Sequence, residues 1–164
     1  MSFWDWAVAA YGAGGVADAC LTLQDTHEQN VPLLLWGAWN AATGRRPDAD
    51  DIEAACDMAR AWQTTAIAPL RAVRRTLKAP IPDIDDAPRL TLREQVKAVE
   101  LQAERLLMTA LEPLSPAPSG APRPLIDGLV EVARTWSGVT PRPALIALAD
   151  HLGRPPSDLT PARV

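Results

Sequence analysis

The sequence is poor in the residues from which small active sites are often built. Its 164 residues include two histidines, two cysteines, one tyrosine and one phenylalanine. Two cysteines without CxxC spacing exclude a disulfide scaffold and a zinc site of the CxxC type. Cys20 and Cys56 lie among apolar neighbours. We therefore expect both to be reduced, buried thiols in a cytoplasmic protein.

The sequence also lacks an excess of positive charge, catalytic motifs and long apolar runs. A net charge of −4 and a pI near 5.1 argue against nucleic-acid binding, which needs a basic surface. No glycine-rich phosphate loop, HExxH or GxSxG motif is present, so we expect no catalytic residues, metal or cofactor. The N-terminus has no basic segment of a signal peptide. The densest apolar run, residues 31–39, is too short to span a membrane.

Tryptophan is the exception to this scarcity, since it supplies six of the eight aromatic residues. Each indole buries a large apolar area and carries one N–H group that needs an acceptor. Five of the six fall in the first 62 positions, where they form either a compact core or a binding surface: Trp4, Trp6, Trp36, Trp39 and Trp62.

The apolar residues recur at spacings of three and four, and no segment alternates with a period of two. This pattern predicts an all-α fold, with a compact bundle of about five helices. The third helix begins after Asn30, is apolar all round and is expected to be the buried centre. The fourth begins after Asp48, and its apolar line continues through Pro69, which predicts one long helix kinked there. A capping box at residues 91–94 predicts the start of the fifth helix.

Proline marks the boundaries between regions of the chain. Residues 79–88 hold three prolines and are predicted to be a linker within the bundle domain, 1–112. Residues 113–124 hold five of the prolines and predict a second, extended linker. The remaining segment, 125–164, carries two short helical patterns. We expect this tethered tail to dock on the bundle or on a partner, because isolated helices of this length are marginally stable.

Four cations lie on one predicted helix face at positions i, i+3, i+4 and i+7: Arg71, Arg74, Arg75 and Lys78. Cations near a helix C-terminus relieve its dipole, so this strip has an ordinary structural interpretation as a solvated face. The functional interpretation is a docking strip for an anionic ligand or an acidic partner segment. The aspartates at 83, 85 and 86 offer a partner within the chain.

A polar patch precedes the apolar third helix and consists of Gln24, Asp25 and His27. These side chains either satisfy indole N–H groups and helix ends or form the mouth of a pocket. In the second case the pocket is lined by Trp36, Trp39 and Trp62.

The fifth predicted helix carries an apolar seam with alternating spacings of four and three: Leu92, Val96, Val99, Ala103, Leu106 and Ala110. Such a seam is typical of a coiled coil. It serves either the core of the bundle or a second copy of the chain, and the latter predicts a homodimer.

Taken together, these residues resemble a family of small proteobacterial proteins of unknown function. The resemblance rests on a CLxLQD…VxLLLxxxW…W…PLRxxRxxxK pattern, on Trp4 and on the stretch 100–105, and it covers residues 3–112. It implies a bacterial, cytoplasmic, helical protein and carries no assigned activity. The segment after Pro113 resembles an extension outside the shared pattern.

Two functional hypotheses follow from the sequence. The first is a non-enzymatic interaction or adaptor protein that acts through the basic strip and the homodimer seam. The alternative is a small-molecule-binding helical domain with a tryptophan-lined pocket. Trp4 and Trp6 lie two positions apart and face different sides of a short helix, so both are hard to bury together. If tryptophan serves recognition, we expect it at that pair or at Trp136.

Overall fold

A computed structural model describes residues 1–154, and every regular element in that part of the chain is helical. The predicted all-α fold is confirmed. When α4, the π-helical turn and α5 are taken as one continuous helix, the described residues form seven helices. In chain order the elements are α1 (Phe3–Tyr11), α2 (Val16–Asp25), α3 (Val31–Ala42), α4 (Ala49–Trp62), a π turn (Gln63–Ile67), α5 (Ala68–Thr76), α6 (Asp86–Leu111), a 3-10 turn (Glu112–Leu114), α7 (Leu125–Ser137) and α8 (Arg142–Leu152).

The central element is α3, as its uniformly apolar sequence predicts. The Asn30 side chain caps it by accepting a hydrogen bond from the Leu33 backbone N–H at 3.0 Å. All residues from Val31 to Ala41 are buried. A helix without a polar face can satisfy its backbone internally while every side of it contacts other helices. The rest of the fold is arranged around it.

The helix begun by Asp48 passes through Pro69 without a loop. Asp48 and Asp51 form a reciprocal capping box at its start. The sequence predicts a kink at Pro69, and the structure has a π turn at Gln63–Ile67, which ends two residues before that proline. Here the Ala68 N–H donates to the Gln63 carbonyl. Because proline donates no backbone hydrogen bond, we attribute the extra residue of this turn to the proline that follows it.

The start of α6 corrects one prediction. The helix begins at Asp86 with Asp85 as its N-cap residue, and the expected capping box at 91–94 lies inside the helix. Thr91 instead donates its hydroxyl to the Ala87 carbonyl. Pro88 is the third residue of the helix, where a backbone N–H has no helical partner and a proline is tolerated. The proline-rich segment is therefore shorter than its composition suggested.

The segment after α6 lies along the bundle. The backbone N–H groups of Ser119 and Gly120 donate to the Gly44 carbonyl, and that of Arg123 donates to the Ala41 carbonyl. These bonds lead the chain into α7, which packs more extensively on α3 than any other helix does. Leu129, Val132 and Ala133 of α7 are fully or almost fully buried. Helix α8 then packs on α2 and α7.

Candidate functional site

Two adjoining clefts run between α1–α2 on one side and α6 on the other. The apolar cleft has a volume of about 310 Å³, and the mixed cleft has a volume of about 390 Å³. They share four lining residues, which are Tyr11, Val31, Leu101 and Glu104. The two clefts therefore form one groove that changes from apolar to polar along its length.

The apolar cleft is built by one face of α1. Trp4, Ala7, Val8 and Tyr11 recur at i, i+3, i+4 and i+7, so one face of the helix lines the cleft. The neighbouring Phe3 points into the core, where its ring lies 5.3 Å from that of Trp39. This contact fixes the rotation of α1 and leaves the face that carries Trp4 open.

The opposite wall of the apolar cleft comes from α6 and the start of α3. Met108, Leu101 and Arg105 line it from α6, together with Val31 and Pro32 from α3. The Arg105 guanidinium lies 4.7 Å from the centre of the Trp4 ring, within the range of a cation–π contact. Trp4 is half-buried, so one part of its ring packs on the core and another lines the cleft.

The mixed cleft combines apolar, neutral polar and charged side chains. Helix α6 contributes four of its lining residues: Lys97, Glu100, Leu101 and Glu104. Gln24 and Cys20 line it from α2, and Arg74 lines it from α5. Within residues 1–154, Lys97 takes part in no ion pair. Its ammonium group is therefore available at the polar end of the groove.

A cluster of four charges closes the base of the mixed cleft. Arg71 donates to Glu100 over 2.9 Å and to Glu104 over 3.1 Å, and Arg74 donates to the second carboxylate oxygen of Glu100. Glu100 is 5% exposed and Arg71 is 9% exposed. Side chains that are buried to this extent keep their charge only when they are paired and hydrogen-bonded. The cluster joins α5 to α6 and sets the position of the groove wall.

The two carboxylates of this cluster titrate in opposite directions. Burial alone raises the pKa of Glu100, but the hydrogen bonds from Arg74 and Arg71 outweigh it and hold that pKa below its ordinary value. Burial also raises the pKa of Glu104, and its contact with Arg71 offsets only part of that effect. Glu100 is thus the carboxylate that the arginines hold in its charged form.

Two further ionisable groups face the groove, and both are poor reagents near neutral pH. Burial and the adjacent Cys20 raise the pKa of the Tyr11 phenol above its ordinary value. Burial raises the pKa of the Cys20 thiol to about 11, against a smaller opposing effect of a hydrogen bond with Tyr11. A thiol with such a pKa is protonated at neutral pH and is a weak nucleophile. Cys56 is likewise free and buried.

The structure divides the predicted basic strip between the interior and the surface. Arg71 and Arg74 turn toward α6 and are neutralised by Glu100 and Glu104. Arg75 is exposed and pairs with Asp25 over 2.9 Å, and Lys78 is exposed. Among the aspartates at 83–86, Asp86 pairs with Arg89.

The predicted pocket residues also lie in different places. Trp36 and Trp39 belong to the core with 0% and 1% exposure, and neither lines the groove. Trp62 lines a separate, shallow depression of about 220 Å³. Within residues 1–154 no acceptor is found for the indole N–H groups of Trp36 and Trp39. The polar patch therefore does not satisfy them.

The polar patch itself is partly at the groove. Gln24 lines the mixed cleft and also a neighbouring polar pocket of about 240 Å³. Asp25 lines the polar pocket but not the mixed cleft. His27 is exposed and lies beyond the end of α2. Most residues of the groove were not predicted as site residues from the sequence, among them Tyr11, Lys97, Leu101 and Glu104. The spacing of Trp4, Ala7, Val8 and Tyr11 is the signal that could have identified the α1 wall.

The described part of the chain holds neither a metal-binding cluster nor a single membrane-spanning helix. No three histidine, cysteine, aspartate or glutamate side chains converge there in a way that could hold a metal ion. In residues 1–154 no single helix is long and apolar enough to cross a bilayer, and α1 and α2 reach that length and composition only together, across a bend of 103°.

Comparison with known proteins places these observations in a family. No curated protein and no solved structure matches the chain. A family model described as "Protein of unknown function (DUF2390)" matches residues 2–111, which is more than half of the sequence. Every residue that lines the groove falls inside this match. The chain belongs to the DUF2390 family.

Proposed function

We propose that the protein is a small-molecule-binding helical domain whose binding site is the groove between α1, α2 and α6. The observation that carries this proposal is the apolar cleft of about 310 Å³ that adjoins the mixed cleft at Tyr11 and Leu101. Binding sites for small molecules are commonly concave, mostly apolar and supplied with a few placed polar groups. The groove has this composition.

The wall of the groove is suited to binding because its charged part is already in place. Arg71, Glu100 and Glu104 are tied to one another across α5 and α6, so a ligand meets a preformed surface. Tyr11 and Cys20 are protonated at neutral pH, which favours binding over catalysis.

The test is titration with N-phenyl-1-naphthylamine, an uncharged apolar dye that fluoresces in apolar surroundings. We expect saturable binding to the wild-type protein. Val8→Trp places a larger side chain in the cleft from a position that is 53% exposed, so it should reduce dye binding while leaving the core intact. Val139→Trp, at a residue that is 68% exposed and lines neither cleft, is the matched control. Equal dye binding by all three proteins, or none by the wild type, would refute the groove as a binding site.

A second candidate is a non-enzymatic interaction protein that forms a homodimer through α6. Leu92, Val99 and Leu106 recur every seven residues and are 48%, 48% and 46% exposed. A partner helix would cover this line of apolar side chains. The exposed cations of the basic strip, Arg75 and Lys78, would bind an acidic segment of a partner.

Sedimentation equilibrium tests the homodimer. The wild type should reach a dimer mass at high concentration, and Val99→Glu should shift the mass to the monomer. Val139→Glu introduces the same charge on an exposed valine outside α6 and should leave the dimer unchanged. A wild type that stays monomeric at high concentration would exclude the seam as an interface.

We further propose a bacterial, cytoplasmic location, and that proteobacterial members of the family share the CLxLQD…VxLLLxxxW…W…PLRxxRxxxK pattern. Free, buried Cys20 and Cys56 favour a reducing compartment. Fractionation of the native host, followed by immunodetection in the soluble cytoplasmic fraction, tests the location.

A further inference from the structure

We propose that the groove binds an amphipathic organic anion, with the apolar body of the ligand against Trp4 and Met108 and its anionic group at Lys97. This inference rests on the proposed function, since it names the chemical class of the small molecule that the groove takes. It follows from the charges along the groove and from their order on α6.

The charges at the groove do not cancel. Arg71 and Arg74 are offset by Glu100 and Glu104, to which they are hydrogen-bonded. This leaves Lys97 at the mixed cleft and Arg105 at the apolar cleft, neither with an acidic partner in the described part of the chain. The groove therefore carries a local excess of two positive charges on a protein whose net charge is −4. This local positive potential favours the binding of an anion over that of a cation.

The order of residues along α6 gives the ligand its orientation. Lys97, Leu101, Glu104 and Met108 follow one another at spacings of four, three and four, so they share one face of the helix. Lys97 and Met108 are separated by eleven residues, or about 16 Å along the axis. The face is cationic at one end and apolar at the other. Glu104, between them, is already engaged by Arg71 and presents no unpaired charge.

The side of the groove opposite α6 has the same polarity. Gln24 and Arg74 line the end near Lys97, whereas Ala7, Val8 and Trp4 line the other end. Both walls therefore favour a molecule with one anionic end and one apolar end. An aliphatic or aromatic carboxylate is the simplest ligand of this class.

The experiment compares three probes with the same eight-carbon chain and different ends, which are octanoate, octanol and octyltrimethylammonium. Isothermal titration of the full chain should show octanoate binding about tenfold more tightly than octanol, because a hydrogen-bonded ion pair adds on the order of 1.4 kcal/mol. The cationic probe should bind most weakly. Lys97→Gln should weaken octanoate about tenfold and leave octanol unchanged, and Lys97→Arg should retain octanoate binding. Lys78→Gln removes an exposed lysine that lies outside the groove and serves as the control.

The outcomes separate this inference from the proposed function. If octanol binds as tightly as octanoate in a manner that Val8→Trp abolishes, the groove binds small molecules and the anion preference is wrong. If no probe binds, including the uncharged dye, both proposals fail. A third outcome is that octanoate does not bind but the protein co-sediments with phosphatidylglycerol vesicles, and neither Val8→Trp nor Lys97→Gln reduces this co-sedimentation. The partner would then be an anionic membrane surface and not a dissolved ligand, and the inference would be overturned.

Discussion

Helices α3 and α7 pack closely because glycines, which have no side chain, lie at their contact, whereas α5 and α6 are joined by charged side chains. A Cβ added to Gly37 of α3 would lie 2.6 Å from the Gly128 carbonyl oxygen of α7, so the two backbones touch. Between α5 and α6 the contact includes the hydrogen-bonded, charged side chains of Arg71, Arg74 and Glu100.

This difference explains where a ligand site can form. The glycine contact brings α3 against the apolar face of α7 and leaves no volume for another molecule. The charged contact fixes the direction of a few groups and costs desolvation, so it contributes less to stability than apolar packing of the same volume would. In return it leaves a half-open groove beside α6 and exposed apolar residues along that helix. We infer that the α3–α7 contact provides stability and that the α5–α6 contact positions the α6 wall of the groove.

The largest effect should come from removing α7. The family match ends at residue 111, yet α7 covers the part of α3 around Gly37 and Ala41. A chain that stops at residue 112 would expose this apolar helix to water, so we expect it to aggregate or to lack a cooperative unfolding transition. Size-exclusion chromatography and a thermal scan against the full chain measure this. A monomeric fragment with a sharp transition would show that α3 does not depend on α7.

A methyl group at the glycine contact should have the next largest effect. Gly37→Ala places its Cβ against the Gly128 carbonyl and the Val132 side chain, so the two helices must separate. We expect a loss of about 3 kcal/mol in the free energy of unfolding, measured by urea denaturation. Gly14→Ala is the matched control, because a Cβ there meets nothing within 4 Å. Similar stability of the two variants would contradict a close-packed α3–α7 interface.

The charged contact should be less sensitive and should depend on which carboxylate is changed. Glu100→Gln leaves Arg71 with Glu104 alone and Arg74 without a buried carboxylate, and we expect a loss of about 2 kcal/mol in unfolding free energy. Glu104→Gln removes a carboxylate that burial already disfavours in its charged form, so its cost should stay below about 1 kcal/mol. Urea denaturation at pH 7 compares the two. A larger loss from Glu104→Gln would reverse the roles assigned to them.

The sequence predicted the parts of the fold that local chemistry decides. Asn30 and Asp48 were identified as caps because their side chains accept hydrogen bonds from the first turn of the following helix, and both do so. The buried position of α3 follows from its composition alone. The start of α6 was misplaced, because Thr91 fits a capping box and only the tertiary structure shows that the helix has begun at Asp86.

The candidate site was harder to predict, because it depends on which helices meet. The sequence of α5 alone predicts that Arg71 and Arg74 belong to a solvated strip. Glu100 and Glu104 lie four positions apart on another helix and can neutralise two arginines spaced by three. That complementarity is visible in the sequence, but nothing local shows that α5 and α6 are neighbours. The groove likewise forms only where several helices meet, and of its walls only that of α1 has a local signature in the sequence.

The smallest expected effect is a difference in the pH dependence of the two glutamate variants. The pKa of Glu100 in the folded protein lies below its ordinary value of 4.5, so its contribution to stability is present above that value and is lost as the pH falls through the folded pKa. The pKa of Glu104 lies above 4.5, so its contribution is present below that value and is lost as the pH rises through the folded pKa. Urea denaturation at pH 3.5, 5 and 7 should therefore show the stability of Glu100→Gln approaching that of the wild type in acid. The free energy of unfolding of Glu104→Gln should increase relative to that of the wild type as the pH rises, by on the order of 1 kcal/mol. Parallel pH profiles for the two variants would show that the arginines do not distinguish the carboxylates, and the charged contact would then act on α6 as a single unit.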